Sequence, residues 1–320
     1  MLSRVAENIY WMARHLERAE NTARLVSVCT DTRLDHPEPA ELIWETVLRI
    51  TGTLADFEAR GFSRTERDAT NFLVADPGNA SSVLGILSHA RENIRTLREV
   101  LPRESWEAIN GLHQHALRPG AAAPQRRDAH LRGIVGGCQA MAGLFLGVMN
   151  EDAGYAFLRL GRAMERADFA IRVLLDALAE IEGGTTDAQS LLAADWIAVL
   201  KSLTAYQMYR RSVQGPVTRP EVVRFLACST VFPHALACCV QEAERAMARL
   251  PDSGPATEIT ARLFAVLAVH SATGDERRLA GILTLAQAEL VALHSVLGDL
   301  YFAPWTRTAA SPVQTQLQSA

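Results

Sequence analysis

The segment HLERAENTAR at residues 15–24 returns 148 positions later as AMERADFAIR at residues 163–172. Superposing Glu17-Arg18-Ala19 on Glu165-Arg166-Ala167 also places Arg14 on Arg162, Arg24 on Arg172, Leu16 on Met164 and Glu20 on Asp168. At the helical advance of about 100° per residue, Ile9, Met12, Leu16, Ala19, Ala23 and Val26 form one stripe, while Glu7, Arg14, Glu17, Arg18 and Asn21 gather on the other side. In the second copy Phe157, Leu160, Met164, Ala167, Ile171 and Leu174 make the stripe, with Arg162, Glu165 and Arg166 in the matching polar places. What recurs is a whole helix face, so the fold must accommodate that face twice.

Three further matches follow in the same order. WETVLR (44–49) falls on WIAVLK (196–201), NFLVAD (71–76) on RFLACS (224–229), and HARENIRTLREVLP (89–102) loosely on QEAERAMARLP (241–251). One such match between Ala/Leu/Arg-rich helices arises by chance, but four in one order point to tandem duplication. The sequence therefore predicts an all-α fold without sheet, about twelve helices in two pseudo-repeats of about six. Residues 1–150 form the first repeat, 151–303 the second, the two packed as one compact unit, and 304–320 a polar tail. The first set of helices is expected over 3–30, 41–59, 64–75, 81–101, 105–117 and 127–149. The second is expected over 152–182, 190–212, 219–228, 233–250, 257–271 and 276–301. HPEP, RPGAAAP, EGGTTD and PDSGP supply the breaks.

Composition agrees, because Ala, Leu, Arg and Glu dominate and a 320-residue chain that is 48% hydrophobic can bury a large core. A formal net charge of −4 offers no basic footprint for a nucleic-acid backbone, so no nucleic-acid partner is expected. Lys201 is the only lysine, which removes any Walker-type lysine loop and leaves no Schiff-base chemistry elsewhere. Cys29, Cys138, Cys228, Cys238 and Cys239 sit in apolar surroundings without a C-x-x-C pair, so neither a zinc cage nor a disulfide framework is expected, and a reducing cytoplasm fits. Glu7 enters before the apolar core of a secretory signal can develop. The least polar stretch, 133–149, falls short of the roughly 20 residues of a membrane span, so a buried helix is expected there and no membrane association.

Chemical motifs are sparse. Glu-x-x-His, H-E-x-x-H, G-x-S-x-G and G-x-G-x-x-G are all absent, so neither a metal nor a cofactor is expected. The glycines of GIVGGC (133–138) lie inside a helical pattern and read as close helix packing. Cys238-Cys239 beside His234 read as small core residues rather than a nucleophile and base, and His113 and His115 as a helix end.

The repeated charges are the informative feature. Arginines at i and i+4, Arg14 with Arg18 and Arg162 with Arg166, repel one another in isolation. Bulky apolar neighbours, Tyr10 and Trp11 in one copy and Tyr155, Leu158, Phe169 and Val173 in the other, indicate that the polar faces are partly buried too. One glutamate per helix cannot neutralise two buried arginines, so further carboxylates or a bound anion must supply the balance. Glu7, Glu92, Glu107 and the glutamate of the opposite repeat are the internal candidates. A carboxylate- or phosphate-bearing ligand held bidentately is the external one.

The stretches NIYWMARHLERAENTARLV, ARENIRTLREVLPRESWEAIN, YAFLRLGRAMERADFAIRVL, LTAYQMYRR with VTRPEVVRFL, and YFAPW together resemble the alpha-E family, a bacterial all-helical group of undefined activity named for its Glu-Arg motif. Position by position, the resemblance carries the motif onto Arg14, Glu17, Arg18, Arg91, Glu92, Asn93, Arg95, Trp106, Glu107, Asn110, Arg162, Glu165 and Arg166. Tyr155 stands where family members tend to carry Trp. The resemblance implies a cytoplasmic helical protein, and as partners an ATP-grasp-type ligase and a transglutaminase-like protease, in amide or peptide bond formation or modification.

Three functions remain open at this level. The chain is a binding or accessory protein with an Arg/Glu-lined cleft for an anionic small molecule or peptide. Alternatively it is an enzyme acting on an amino acid or peptide with Glu17 or Glu165 as acid/base. In the third, the Glu-Arg pairs only lock the two repeats together and function resides at an interaction surface.

Overall fold

The computed structural model describes residues 2–35, 40–119, 124–179, 195–273 and 276–303, and all their regular structure is helical. In chain order the helices are α1 (Ser3–Asp35), α2 (Ala40–Ile50), α3 (Leu54–Ala59), α4 (Glu66–Val74), α5 (Val83–Thr96), α6 (Glu104–Ala116) and α7 (Pro124–Val148), then α8 (Ala153–Leu178), α9 (Trp196–Ser202), α10 (Tyr206–Ser212), α11 (Arg219–Cys228), α12 (Leu236–Met247), α13 (Gly254–Thr273) and α14 (Glu276–Leu297). A π-helical turn, Gly298–Phe302, closes the last helix. The expected tail 304–320 and residues 180–194, with the expected helix ends at 180–182 and 190–194, lie outside the described residues.

Fourteen described helices replace the expected twelve, because the predicted helices 41–59 and 190–212 each divide. The breaks fall at Gly52 and Thr204, both in the left-handed region with φ +72 and +57. Such a residue ends the i to i−4 ladder, and glycine tolerates it where β-branched threonine does not. Side-chain caps set other helix starts: Thr65 accepts from Asp68 N, Ser82 from Gly85 N, Asp152 from Gly154 N and Tyr155 N, and Asp195 from Ile197 N and Ala198 N.

Helices α1 and α8 form the centre and make the most extensive helix pair in the molecule. Both faces of α1 are buried: Ile9, Met12, Ala19, Ala23 and Val26 on the apolar stripe, and Arg14, Glu17, Glu20 and Asn21 opposite. The crossing is close because small residues meet there. A Cβ on Gly161 would lie 2.4 Å from the Tyr10 carbonyl oxygen and 3.1 Å from Ala13 Cβ, and Gly161 is the residue 148 places after Ala13.

Around this pair, α1 packs on α5 and α7, α5 on α6, and α6 on α7, while α8 packs on α12 and α14, α12 on α13, and α13 on α14. Helix α2 touches both α1 and α8, and α9 does likewise. Buried apolar residues from both halves join in one continuous core. Within GIVGGC, Gly133 and Gly137 are close-packing positions against His115 and Leu112, whereas Gly136 faces open space. The apolar stretch around it is longer than expected. Two described helical segments, Gln125–Val148 and Arg278–Phe302, are long and apolar enough to cross a membrane by length and composition; each packs along one side, on α1 and α6 and on α8 and α13 respectively.

Candidate functional site

One turn beyond the Ala13/Gly161 contact, the charged triplets of the two central helices face each other. Glu165 accepts from Arg14 Nε at 2.8 Å, from Arg18 Nε at 2.5 Å and from Arg18 Nη2 at 2.9 Å. Glu17 accepts from Arg166 Nε at 2.7 Å and from Arg162 Nε at 3.3 Å. Each carboxylate thus holds two arginines of the opposite helix, and none of its own. Both carboxylates are buried, as is Arg14, while the Arg18 side chain keeps 33% of its exposure.

Burial by itself would raise the Glu17 carboxyl, but Arg166 and Arg162 outweigh it and bring the group down to about 2. Glu165 likewise lies below the ordinary carboxylate range, burial opposing and Arg14 and Arg18 prevailing. Two imidazoles beside the cluster stay neutral. Burial, then the Arg18 and His89 charges, lower His15 to about 3, and burial with the Arg166 charge lowers His234 to about 3.

A second layer of polar groups surrounds these pairs. Arg24 donates to Glu20 at 2.5 Å, Gln139 Nε2 donates to the same oxygen at 2.9 Å, and Arg172 pairs with Asp168 at 2.7 Å. Arg49 from α2 reaches across to Asp176 of α8 at 2.6 Å. Tyr10 Oη accepts from Arg14 Nη1 at 3.3 Å and lies 3.0 Å from His294 Nδ1.

Two cavities border the crossing. The larger, about 490 Å³, is lined by Arg18, Glu165, Arg49, Asp168 and Arg172, with Phe169 and the polar side chains of Asn21, Thr22, Thr51, Ser81 and Gln287. The Asn21 Nδ2 is buried and has no hydrogen-bond acceptor among the described residues. The smaller cavity, about 320 Å³, is lined by Arg159, Arg162, Arg166, Arg245 and Glu242, with Cys238 and Cys239 between them. Among the described residues no group of His, Cys, Asp and Glu is arranged to hold a metal ion.

The motif residues separate into two groups. Arg14, Glu17, Arg18, Arg162, Glu165 and Arg166 come together at the crossing. The others lie on α5 and α6: Arg91 Nε donates to Asn110 Oδ1 at 2.7 Å and its guanidinium sits 4.9 Å from the Trp106 ring centre, with Arg98 closer at 3.9 Å. Asn93 Nδ2 donates to Asn8 Oδ1 at 3.1 Å, Arg95 donates to Glu92 at 2.8 Å, and Glu107 lines a small hollow beside Trp106. The expectation that Glu7, Glu92 or Glu107 helps neutralise the central arginines is therefore corrected. Glu92 is spent on Arg95 and Arg91 in solvent, and the arginines at the crossing are paired by the glutamates of the facing helix. Cys239 is buried and its thiol is pushed up by burial, while Cys238 is half-buried at the cavity edge.

Sequence reasoning missed Arg159, Glu242 and Arg245, and gave Arg49 no role. Arg159, Arg162 and Arg166 follow i, i+3, i+7 spacing along α8, a signal that was available. Glu242 and Arg245 come from α12, more than 70 residues away, and nothing local marks them.

Comparison with known proteins bears on the whole chain. Residues 1–302 match the Alpha-E model, described as "a predicted alpha-helical domain with a conserved ER motif". The chain is 24% identical over 270 residues to a protein of Mycobacterium bovis and to proteins of two Mycobacterium tuberculosis strains, each described as uncharacterized. The alignment covers 78% of this chain and 30% of each relative, so the chain spans less than a third of their length. No solved structure matches it. Matched by that model from its first residue to beyond its last described helix, and carrying the Glu-Arg pair on both central helices, the chain belongs to the Alpha-E family.

Proposed function

We propose that the protein is a two-repeat helical binding module whose Arg/Glu-lined crossing receives a carboxylate- or phosphate-bearing small molecule or peptide. It works in the cytoplasm with an ATP-grasp-type ligase and a transglutaminase-like protease in amide or peptide bond formation or modification. One observation carries the binding part of this reading: four arginines share two carboxylates, and three of them, Arg18, Arg162 and Arg166, line two cavities. A guanidinium that shares its acceptor retains donors suited to a ligand's oxygens. The 148-residue offset of the matched Glu, Arg and Ala13/Gly161 positions on the central helices, the Gly52 and Thr204 breaks and the parallel order of helix contacts support the duplication.

A role for Glu17 or Glu165 as acid/base is disfavoured, because each is buried and held ionised by two arginines, with no proton to give and little affinity for one. The locking role draws on the reciprocity of the same bonds. Calorimetric titration of the purified chain with amino acids, dipeptides and phosphorylated small molecules tests the proposal, with Arg18→Gln as the site variant. Saturable binding lost in Arg18→Gln while the variant still unfolds cooperatively supports a cleft at the larger cavity. Absence of binding by every compound leaves only the lock. Co-elution of the chain with the ligase tests the partnership separately.

A further inference from the structure

The two cavities differ in charge, and the smaller one is specialised. Four guanidinium groups border it: Arg159, Arg162 and Arg166 from one face of α8, and Arg245 from α12. Two carboxylates serve all four. Glu17 is shared by Arg162 and Arg166, and Glu242 by Arg159 and Arg245. Two further carboxylates act on these arginines, and both are engaged elsewhere, Glu20 by Arg24 and Glu151 by Arg249. Among the described residues two positive charges are therefore left without a counter-charge, while His234 nearby contributes none, being neutral. Among the described residues Arg162 makes a single 3.3 Å bond, through Nε, and neither terminal nitrogen has an acceptor there, although the side chain is largely buried. On the other side of the crossing the excess is smaller: Arg14 and Arg18 share Glu165, while Arg172 has Asp168 and Arg49 has Asp176, which leaves one charge over. The position matching Arg159 in the first half is Trp11, so the larger excess belongs to one side only.

From this imbalance we infer that the smaller cavity binds a phosphate dianion, free or as a monoester. A single carboxylate would cancel half of the excess; a phosphate carries close to two charges at neutral pH on oxygens that accept from several forks at once. The cavity's volume of about 320 Å³ leaves room beside such a group, and Leu146, Ala163 and Pro233 give that space an apolar wall suited to a small organic substituent. This assignment rests on the anion-binding reading above and sharpens it to one cavity and one ligand class.

The test is calorimetric titration of the full chain, at constant ionic strength, with inorganic phosphate, phenyl phosphate, succinate and benzoate. Saturable one-to-one binding of phosphate or phenyl phosphate is expected, the tighter of the two identifying the free or esterified form. Arg159→Gln should weaken it by about tenfold or more, and the exposed Arg245→Gln by a smaller factor, as loss of a charge-assisted bond requires. Glu242→Gln should tighten it, because it removes opposing charge while leaving the arginines. Arg132→Gln, on the exposed side of α7 and outside both cavities, should leave it unchanged. Phosphate heats that never saturate, or that are indifferent to Arg159→Gln and Glu242→Gln, overturn the assignment. Binding of succinate or benzoate with none of phosphate overturns it while preserving the broader anion reading, and binding of no anion removes both.

Discussion

Arg18 holds Glu165 with two parallel hydrogen bonds, Nε to Oε1 at 2.5 Å and Nη2 to Oε2 at 2.9 Å, across 147 residues of sequence. Its counterpart Arg166 reaches Glu17 through one bond at 2.7 Å. Breaking a buried pair by removing one partner is costly because the other charge stays buried. Glu165→Gln and Glu17→Gln should each lose about 3 to 5 kcal/mol of unfolding free energy, Glu165→Gln the more. Urea titrations followed by circular dichroism check this; a loss under about 1 kcal/mol in both would mean the pairs behave as solvated surface bridges.

The Ala13/Gly161 contact sets how near the two charged faces come. Gly161→Ala drives a methyl into the Tyr10 carbonyl, and overpacking of this kind costs about 1 to 3 kcal/mol. Gly143→Ala, on an open face of α7, should cost nothing and even stabilise a helix interior. Parallel thermal melts of the two variants separate contact from propensity.

Acid should weaken the fold in two stages. His15 and His234 have folded pKa values of about 3, far below the ordinary 6.5. The unfolded chain therefore takes up protons that the folded chain refuses, and the stability from these groups is complete above pH 6.5 and lost as pH falls toward 3. Each contributes a slope of about 1.4 kcal/mol per pH unit within that window. Glu17, lowered from 4.5 to about 2, adds its loss between those two values. Unfolding free energies from pH 8 to 4 should fall with pH, and His234→Asn should flatten the slope; a flat profile in the unmodified chain contradicts the buried neutral imidazoles.

The two left-handed breaks are chemically unequal. Thr204→Gly should stabilise the chain by up to about 1 kcal/mol, relief of the left-handed strain exceeding glycine's entropic cost. Gly52→Ala should destabilise it, and a Cβ there lies 3.3 Å from Arg172 Nη1, so it also disturbs the wall of the larger cavity. Chemical denaturation of both variants gives the signs.

Helical class, the burial of both faces of α1 and the pairing of Glu17 and Glu165 with the opposite segment's arginines could be anticipated from the alternation of Ile9, Met12 and Leu16 with Arg14, Glu17 and Arg18, because a helix face is a property of spacing alone. The break at Gly52 had a cue in its glycine, whereas Thr204, at φ +57, looked like an ordinary helix residue. The shared motif also led astray: Glu92 and Glu107 belong to the same quoted stretches as the arginines, yet α5 and α6 carry them to a separate surface around Trp106.

Local spacing determines which residues share a side of a helix, and so the chain alone determined two matching charged faces and a shortage of carboxylate between them. Where that shortage falls was decided by tertiary structure. The small residues at Ala13 and Gly161 fix the approach of α1 and α8, and α12 then brings Glu242 and Arg245 to Arg159, while α2 brings Arg49 to Asp176. Electrostatic balance depends on distances between helices far apart in sequence, which periodicity within one helix does not encode.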